Sequence, residues 1–142
     1  MQVNNAIAKG QLVPLVFMQD NVAASQTNVQ LLVAEVASAA NNACDGYCMP
    51  FAGEIVGISA HLTAAATAGT LTVGPTIAGV EASDPTLSIT TQTDKSDTCK
   101  RGTNVFAKDA VIGAEITSGG TWDGTSSDLV VIVWVLLNIS GI

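Results

Sequence analysis

The chain has 142 residues, of which 48% are apolar, 4% aromatic and 12% charged, and its net charge is −7. That length suits one domain with a sizeable core, while an acidic chain makes a poor partner for naked nucleic acid, which demands a basic surface. Typical domains are roughly 25% charged, so much of this surface must be Ala, Thr, Ser, Asn and Gly, as in a protein partly buried in an assembly or in a small β-domain coated with Thr and Ser.

Met1-Gln2-Val3-Asn4-Asn5 has neither the basic nor the apolar region of a secretory signal. The expected product is made in the cytoplasm and stays there, or leaves by lysis or inside a particle. Residues 1–10 are small and polar and read as an arm, leaving residues 11–142 as a single domain.

Gln11 to Met18 is a β-like run carrying Pro14. Proline donates nothing to a ladder, so an edge strand or a strand start is expected. Residues 28–37 alternate, with Val29, Leu31 and Val33 on one face, and their valine content favours a strand over a helix capped by Thr27. Asn41 to Pro50 is a loop around Asp45-Gly46. Glu54 to Leu62 is the next strand, with Val56, Ile58, Ala60 and Leu62 on one face and Ile55, Gly57, Ser59 and His61 on the other. Thr70 to Ile77 alternates too and is broken by Ala78-Gly79. Asp84-Pro85 starts a turn, and Leu87 and Ile89 mark a short strand. Residues 91–104 read as a long polar loop before Val105-Phe106. Ile112, Ala114 and Ile116 point inward from a strand over 111–117. Ser118 to Ser127 is a Gly-rich loop with Trp122. About eight short strands joined by Gly, Thr and Asp loops predict an all-β fold, an antiparallel sandwich of jelly-roll type.

The last strand is different. Leu129 to Leu137 is an uninterrupted apolar run of nine residues. A strand wetted on one side alternates apolar with polar residues, and a transmembrane helix needs about 20 apolar residues. Both faces of this strand should therefore be covered, one by the core and one by a subunit interface. Val131, Val133 and Val135 are the expected self-association residues.

Chemistry is sparse. His61 is the single histidine, so a Ser-His-Asp triad would have to use it. Asp84, Asp94, Asp97, Asp109, Asp123 and Asp128 sit in loops or at strand starts, where turn formation and solubility explain them. No P-loop or dinucleotide fingerprint occurs. Cys44, Cys48 and Cys99 are an odd set, which does not suggest a disulfide framework. They would form a zinc site with His61 only by long-range convergence. Inert thiols are favoured over a local Cys44–Cys48 disulfide formed in an oxidising medium. No catalysis, cofactor or metal is expected. Lys95, Lys100, Arg101 and Lys108 fall in one stretch, as a solvated loop or as a patch for an acidic partner. Trp122, with Asp123 beside it, either caps the core or stands exposed as a binding aromatic.

Two segments together carry a family resemblance. Met49-Pro50-Phe51-Ala52-Gly53-Glu54-Ile55-Val56-Gly57-Ile58-Ser59 runs on into the Thr/Ala-rich stretch from Leu62 to Val73. Phe106-Ala107-Lys108-Asp109-Ala110-Val111-Ile112-Gly113 leads later to Asp128 and the apolar last strand. Over roughly residues 11–137 the chain resembles small β-sandwich modules of tailed-bacteriophage structural proteins, among them capsid decoration (cement) proteins. Cys44-Asp45-Gly46-Tyr47-Cys48 is no part of that pattern. The resemblance implies a non-catalytic homotrimer on the outer surface of the virion head, with the major capsid protein as partner and no nucleic acid or membrane contact. Under that reading Val3, Asn4, Ile7, Lys95, Lys100 and Arg101 are the expected capsid contacts. The alternative is a receptor- or glycan-binding head of a phage fibre, with Trp122 and Asp123 at the tip.

Overall fold

A computed structural model of the chain describes residues 10–34 and 44–139. Among them are eleven strands and no helix: β1 (Gln11–Gln19), β2 (Val29–Gln30), β3 (Tyr47–Cys48), β4 (Gly53–Leu62), β5 (Leu71–Ile77), β6 (Val80–Glu81), β7 (Leu87–Ile89), β8 (Asp94–Thr98), β9 (Asn104–Phe106), β10 (Val111–Ser118) and β11 (Leu129–Leu137). They form two antiparallel sheets. The first runs β1-β11-β4-β8, with β9 also on β4. The second runs β2-β10-β5-β6, with β3 on β10 and β7 on β5. One apolar core lies between them, so the all-β sandwich expected from the strand pattern is present.

Pro14 stands on an edge strand: β1 is bonded to β11 on one side, and its far end forms a single bridge from Met18 to Leu32 on the other. The inward faces of β5 and β10 are also those that alternation predicts. Leu71, Val73, Ile112, Ala114 and Ile116 are all buried.

Three expectations need correction. The stretch 91–104 is not one long loop, because β8 occupies Asp94–Thr98 and pairs with β4 from Gly57 to His61. All five of its residues are exposed, so it presents no apolar periodicity; the backbone edge of β4 holds it. The predicted faces of β4 are also split. Trp134 of β11 lies opposite Gly57 and Val135 opposite Ile55, which leaves Val56 as the extra residue of a β-bulge. Ile55 thereby turns into the core with Ile58, Ala60 and Leu62, while Val56 is only half-buried. The carbonyl of Val56 accepts the backbone N–H of Cys99 at 3.2 Å. Finally, the predicted strand over 28–37 is β2, two residues long, followed by the Leu32 bridge. Positions 35–37 of that prediction lie outside the described residues.

Candidate interaction surface

β11 is the central feature of the first sheet. Its residues alternate between fully buried and half-buried along the whole strand. Val131, Val133 and Val135 have no exposed surface and pack between the two sheets. Their expected role in self-association is therefore corrected: the core already covers them. The opposite side carries Val130, Ile132, Trp134 and Leu136. In register beside them on β1 stand Met18, Val16, Pro14 and Leu12, opposite Val130, Ile132, Trp134 and Leu136 in turn. The outer face of β1 and β11 is therefore apolar from end to end, with Leu12 54% exposed.

On the other flank of β11, β4 sets small residues beside that stripe. Gly57 lies opposite Trp134 and Ser59 opposite Ile132. A β-carbon on Gly57 would stand 3.8 Å from Cδ1 of Trp134, so the indole lies alongside the bare backbone. A shallow groove of about 570 Å³ follows, bounded by Ser59, His61, Asp94, Ser96 and Ile132.

Among the described residues, the titratable side chains of β4 on this face stand at its two ends, Glu54 at one and His61 at the other, each with a partner. At one end Arg101 donates from Nε to Oε1 of Glu54 at 2.6 Å, and the Gly102 N–H donates to Oε2. Burial pushes the pKa of Glu54 up, but the Gly102 N–H and the Arg101 guanidinium outweigh it and hold the carboxyl below its ordinary value. At the other end His61 Nδ1 meets Oδ1 of Asp94 at 2.6 Å. The Thr93 hydroxyl bonds Oδ2 of Asp94, and with His61 it lowers that carboxyl's pKa. His61 is exposed, and among the described residues no hydroxyl bonds its ring.

The expected basic contacts do not form a positive patch. Lys95 donates to the carbonyl of Ser88, tying β8 to β7, and Arg101 is paired with Glu54. Lys100 is exposed, but Asp94 and Asp97 stand in the preceding strand. Val3, Asn4 and Ile7 lie outside the described residues.

Trp122 is not an exposed platform. It is 3% exposed, and its Nε1 donates to the Val22 carbonyl at 3.1 Å. The surrounding loop is shaped to admit it. A β-carbon on Gly124 would come within 2.4 Å of Cζ2 of the indole. Gly69, at φ 85°, would place one 2.5 Å from the Trp122 backbone. Around the same end of the sandwich, Gln19 and Gln26 pair their amides at 3.0 Å, and Ser118 Oγ donates to the Ala23 carbonyl at 2.7 Å. Asp123 turns back on its own neighbourhood. It accepts the N–H groups of Thr67 and Ala68 at 2.8 and 3.0 Å and the Thr67 hydroxyl at 2.5 Å, and these bonds, the hydroxyl's first, lower its pKa. This is a structural cap on the loop, legible in sequence only as a Trp among glycines.

The thiols are spread over three settings. Cys44 and Cys48 are exposed, and Cys99 is partly buried with its Sγ 3.1 Å from the Ile55 carbonyl. Burial pushes the Cys99 thiol up. Among the described residues no group of three His, Cys, Asp or Glu side chains is placed to hold a metal ion.

No protein-family model matches the chain, and no curated protein matches it.

Proposed function

We propose that this chain is a capsid decoration protein of a tailed phage: a non-enzymatic module that binds the outer surface of the head as a homotrimer and stabilises the shell. The observation that carries the proposal is the pairing of a small two-sheet β-domain with an apolar stripe along the outer face of β1 and β11, which suits a part made to be covered. The sequence resemblance supplies the partner, the major capsid protein, and the site, the outside of the virion. Each contact can be weak, because several identical modules on one shell add their binding energies.

We also read the sandwich as a jelly roll. Strands from the two ends of the chain pair with each other: β1 with β11, β2 with β10, and then β4 and β5 on the inner sides of those partners. A ribbon of paired strands rolled on itself has that order. In this reading eight strands are principal, and β3, β6 and β9 are short additions.

The fibre-head alternative relied on Trp122 as its aromatic platform. With the indole buried and Asp123 occupied by Thr67 and Ala68, that reading lacks a sugar-stacking surface on this loop. The test is addition of the purified chain to undecorated, expanded heads of the virus that encodes it. Saturable co-sedimentation in multiples of three, with heads made more resistant to heat, is the expected result. No binding to heads, with binding to host cells instead, would replace this function with the fibre reading.

A further inference from the structure

We infer that Glu115 and Glu81 form a proton-operated latch, which ties the β5–β6 hairpin to β10 on the outer face of the second sheet. Register brings the two acids together. Glu115 of β10 lies opposite Gly74 of β5, and Glu81 of β6 lies opposite Thr76, further along the same strand. Gly74 has no side chain, and the carboxyl of Glu81 fills the space it leaves. A β-carbon on Gly74 would stand 2.8 Å from Oε1 of Glu81 and 3.3 Å from its Cγ. Glu81 thus reaches back across β5, and its carboxyl comes within hydrogen-bonding reach of Glu115.

The two carboxyls are held unequally. Glu115 is buried, and its Oε2 accepts from Nε2 of Gln30 at 2.7 Å. Gln30 is fixed in turn by the Thr76 hydroxyl, which donates to its Oε1 at 3.2 Å. Glu81 is exposed and sits on a strand of two residues, behind a turn through Ala78 and Gly79. Among the described residues no ion pair includes either acid. Beside β10, β2 presents the neutral Gln30 and β5 presents Gly74 and Thr76. The other titratable groups there are Asp45, Tyr47 and Cys48, around β3 at the far end of β10. Lys95 reaches this sheet at Ser88 and is committed to its carbonyl.

Two carboxylates in contact without a cation repel, so one of them keeps a proton. Burial, with the charge of Glu81 added to it, favours the neutral form of Glu115. Protonated Glu115 donates its O–H to the Glu81 carboxylate, and the latch is closed. When Glu115 ionises, its proton leaves for water, the bond is lost and two negative charges stand side by side. Glu81, the exposed partner, then turns out to solvent, and β6 is left with its backbone ladder alone. The latch is closed in acid and opens as pH climbs through the raised value of Glu115.

The test is amide hydrogen exchange, followed by NMR on the full chain from about pH 4 to about pH 8 and corrected for the intrinsic pH dependence of exchange. The reporter is the Ala82 N–H, which closes the hairpin by donating to the Pro75 carbonyl at 2.9 Å. The Glu115 carboxyl carbon is titrated in the same samples. Protection at Ala82 should fall about fivefold or more with the midpoint of Glu115. Protection of the Leu62 N–H, bonded to Thr93 on the first sheet, should stay constant. Glu115→Gln offers Glu81 a donor at every pH, so Ala82 should remain protected throughout. Gly74→Ala pushes the Glu81 carboxyl off β5 without removing a charge, and the pH step at Ala82 should vanish. Thermal melting checks that both variants fold. Protection at Ala82 that ignores the Glu115 midpoint, or a pH step as large in Glu115→Gln as in the wild-type chain, would overturn the latch.

Discussion

The two outer faces of the sandwich obey different rules. On the second sheet, Thr72, Gly74 and Thr76 of β5 stand in register with Thr117, Glu115 and Gly113 of β10. Gln30, Ser88 and Glu81 complete the face from the neighbouring strands. That surface is polar but not open to solvent throughout: Thr76 and Glu115 are buried, and Gln30 bonds both of them. On the first sheet the equivalent positions of β1 and β11 are all apolar. Both sheets face the same core. Under the proposed function, the apolar stripe on the first sheet is the side that becomes covered.

Substitutions on the two sides of β11 should separate core from contact most sharply. Val133→Asp buries an unpaired carboxylate and should prevent folding, a loss of several kcal/mol. Ile132→Ser, one residue away on the outer face, should cost about 1 kcal/mol in the fold while weakening assembly; urea titration and solution mass read the two effects separately. The tryptophans make a second contrast. Trp122→Ala should lose about 3–5 kcal/mol, as large buried aromatics do. It also leaves the Val22 carbonyl without its donor. Trp134→Ala should cost less in chemical denaturation and more in association. Equal losses from the two would contradict their assignment to different surroundings.

Smaller effects test the charges. The Glu54 carboxyl is held below its ordinary pKa of 4.5, so its pairing with Arg101 and Gly102 stabilises the fold above that pH and is lost as pH falls through the lowered folded value. Arg101→Ala should therefore cost about 1 kcal/mol or less at neutral pH, and nothing once Glu54 is protonated. Glu115 behaves in the opposite sense. Burial, reinforced by the nearby charge of Glu81, raises its pKa from 4.5, while the 2.7 Å bond from Gln30 opposes the rise. Its contribution is complete below pH 4.5 and declines as pH climbs through the raised value. Glu115→Gln should thus raise the melting temperature by a few degrees at neutral pH, with no gain in acid. A destabilised variant at neutral pH would show that the carboxylate is needed there.

Much of this architecture was legible because alternation and punctuation report directly on it. Pro14 marked an edge, Ala78-Gly79 marked the end of β5, and Ile112, Ala114 and Ile116 declared their inward face. Where residues are alike on both sides, composition is silent. In β11 nothing in the sequence says whether Val131 or Ile132 faces the core; the register with β1 and β4 decides it. β8 carries no apolar residue, so an all-polar edge strand looks like a loop. The bulge at Val56 exchanges the faces of β4 without leaving a glycine or proline at that position. For Trp122, the deciding fact is a carbonyl 100 positions away in the chain.

The most direct test of the central claim is quenching of tryptophan fluorescence by acrylamide as the protein is concentrated, in the wild-type chain and in Trp122→Phe, which reports Trp134 alone. Trp134 should become shielded and its emission should move to the blue as copies assemble, while Trp122, read through Trp134→Phe, stays shielded throughout. A Trp134 that remains equally quenchable at every concentration, in a chain that nonetheless assembles, would show that the apolar stripe of the first sheet is not the side that assembly covers.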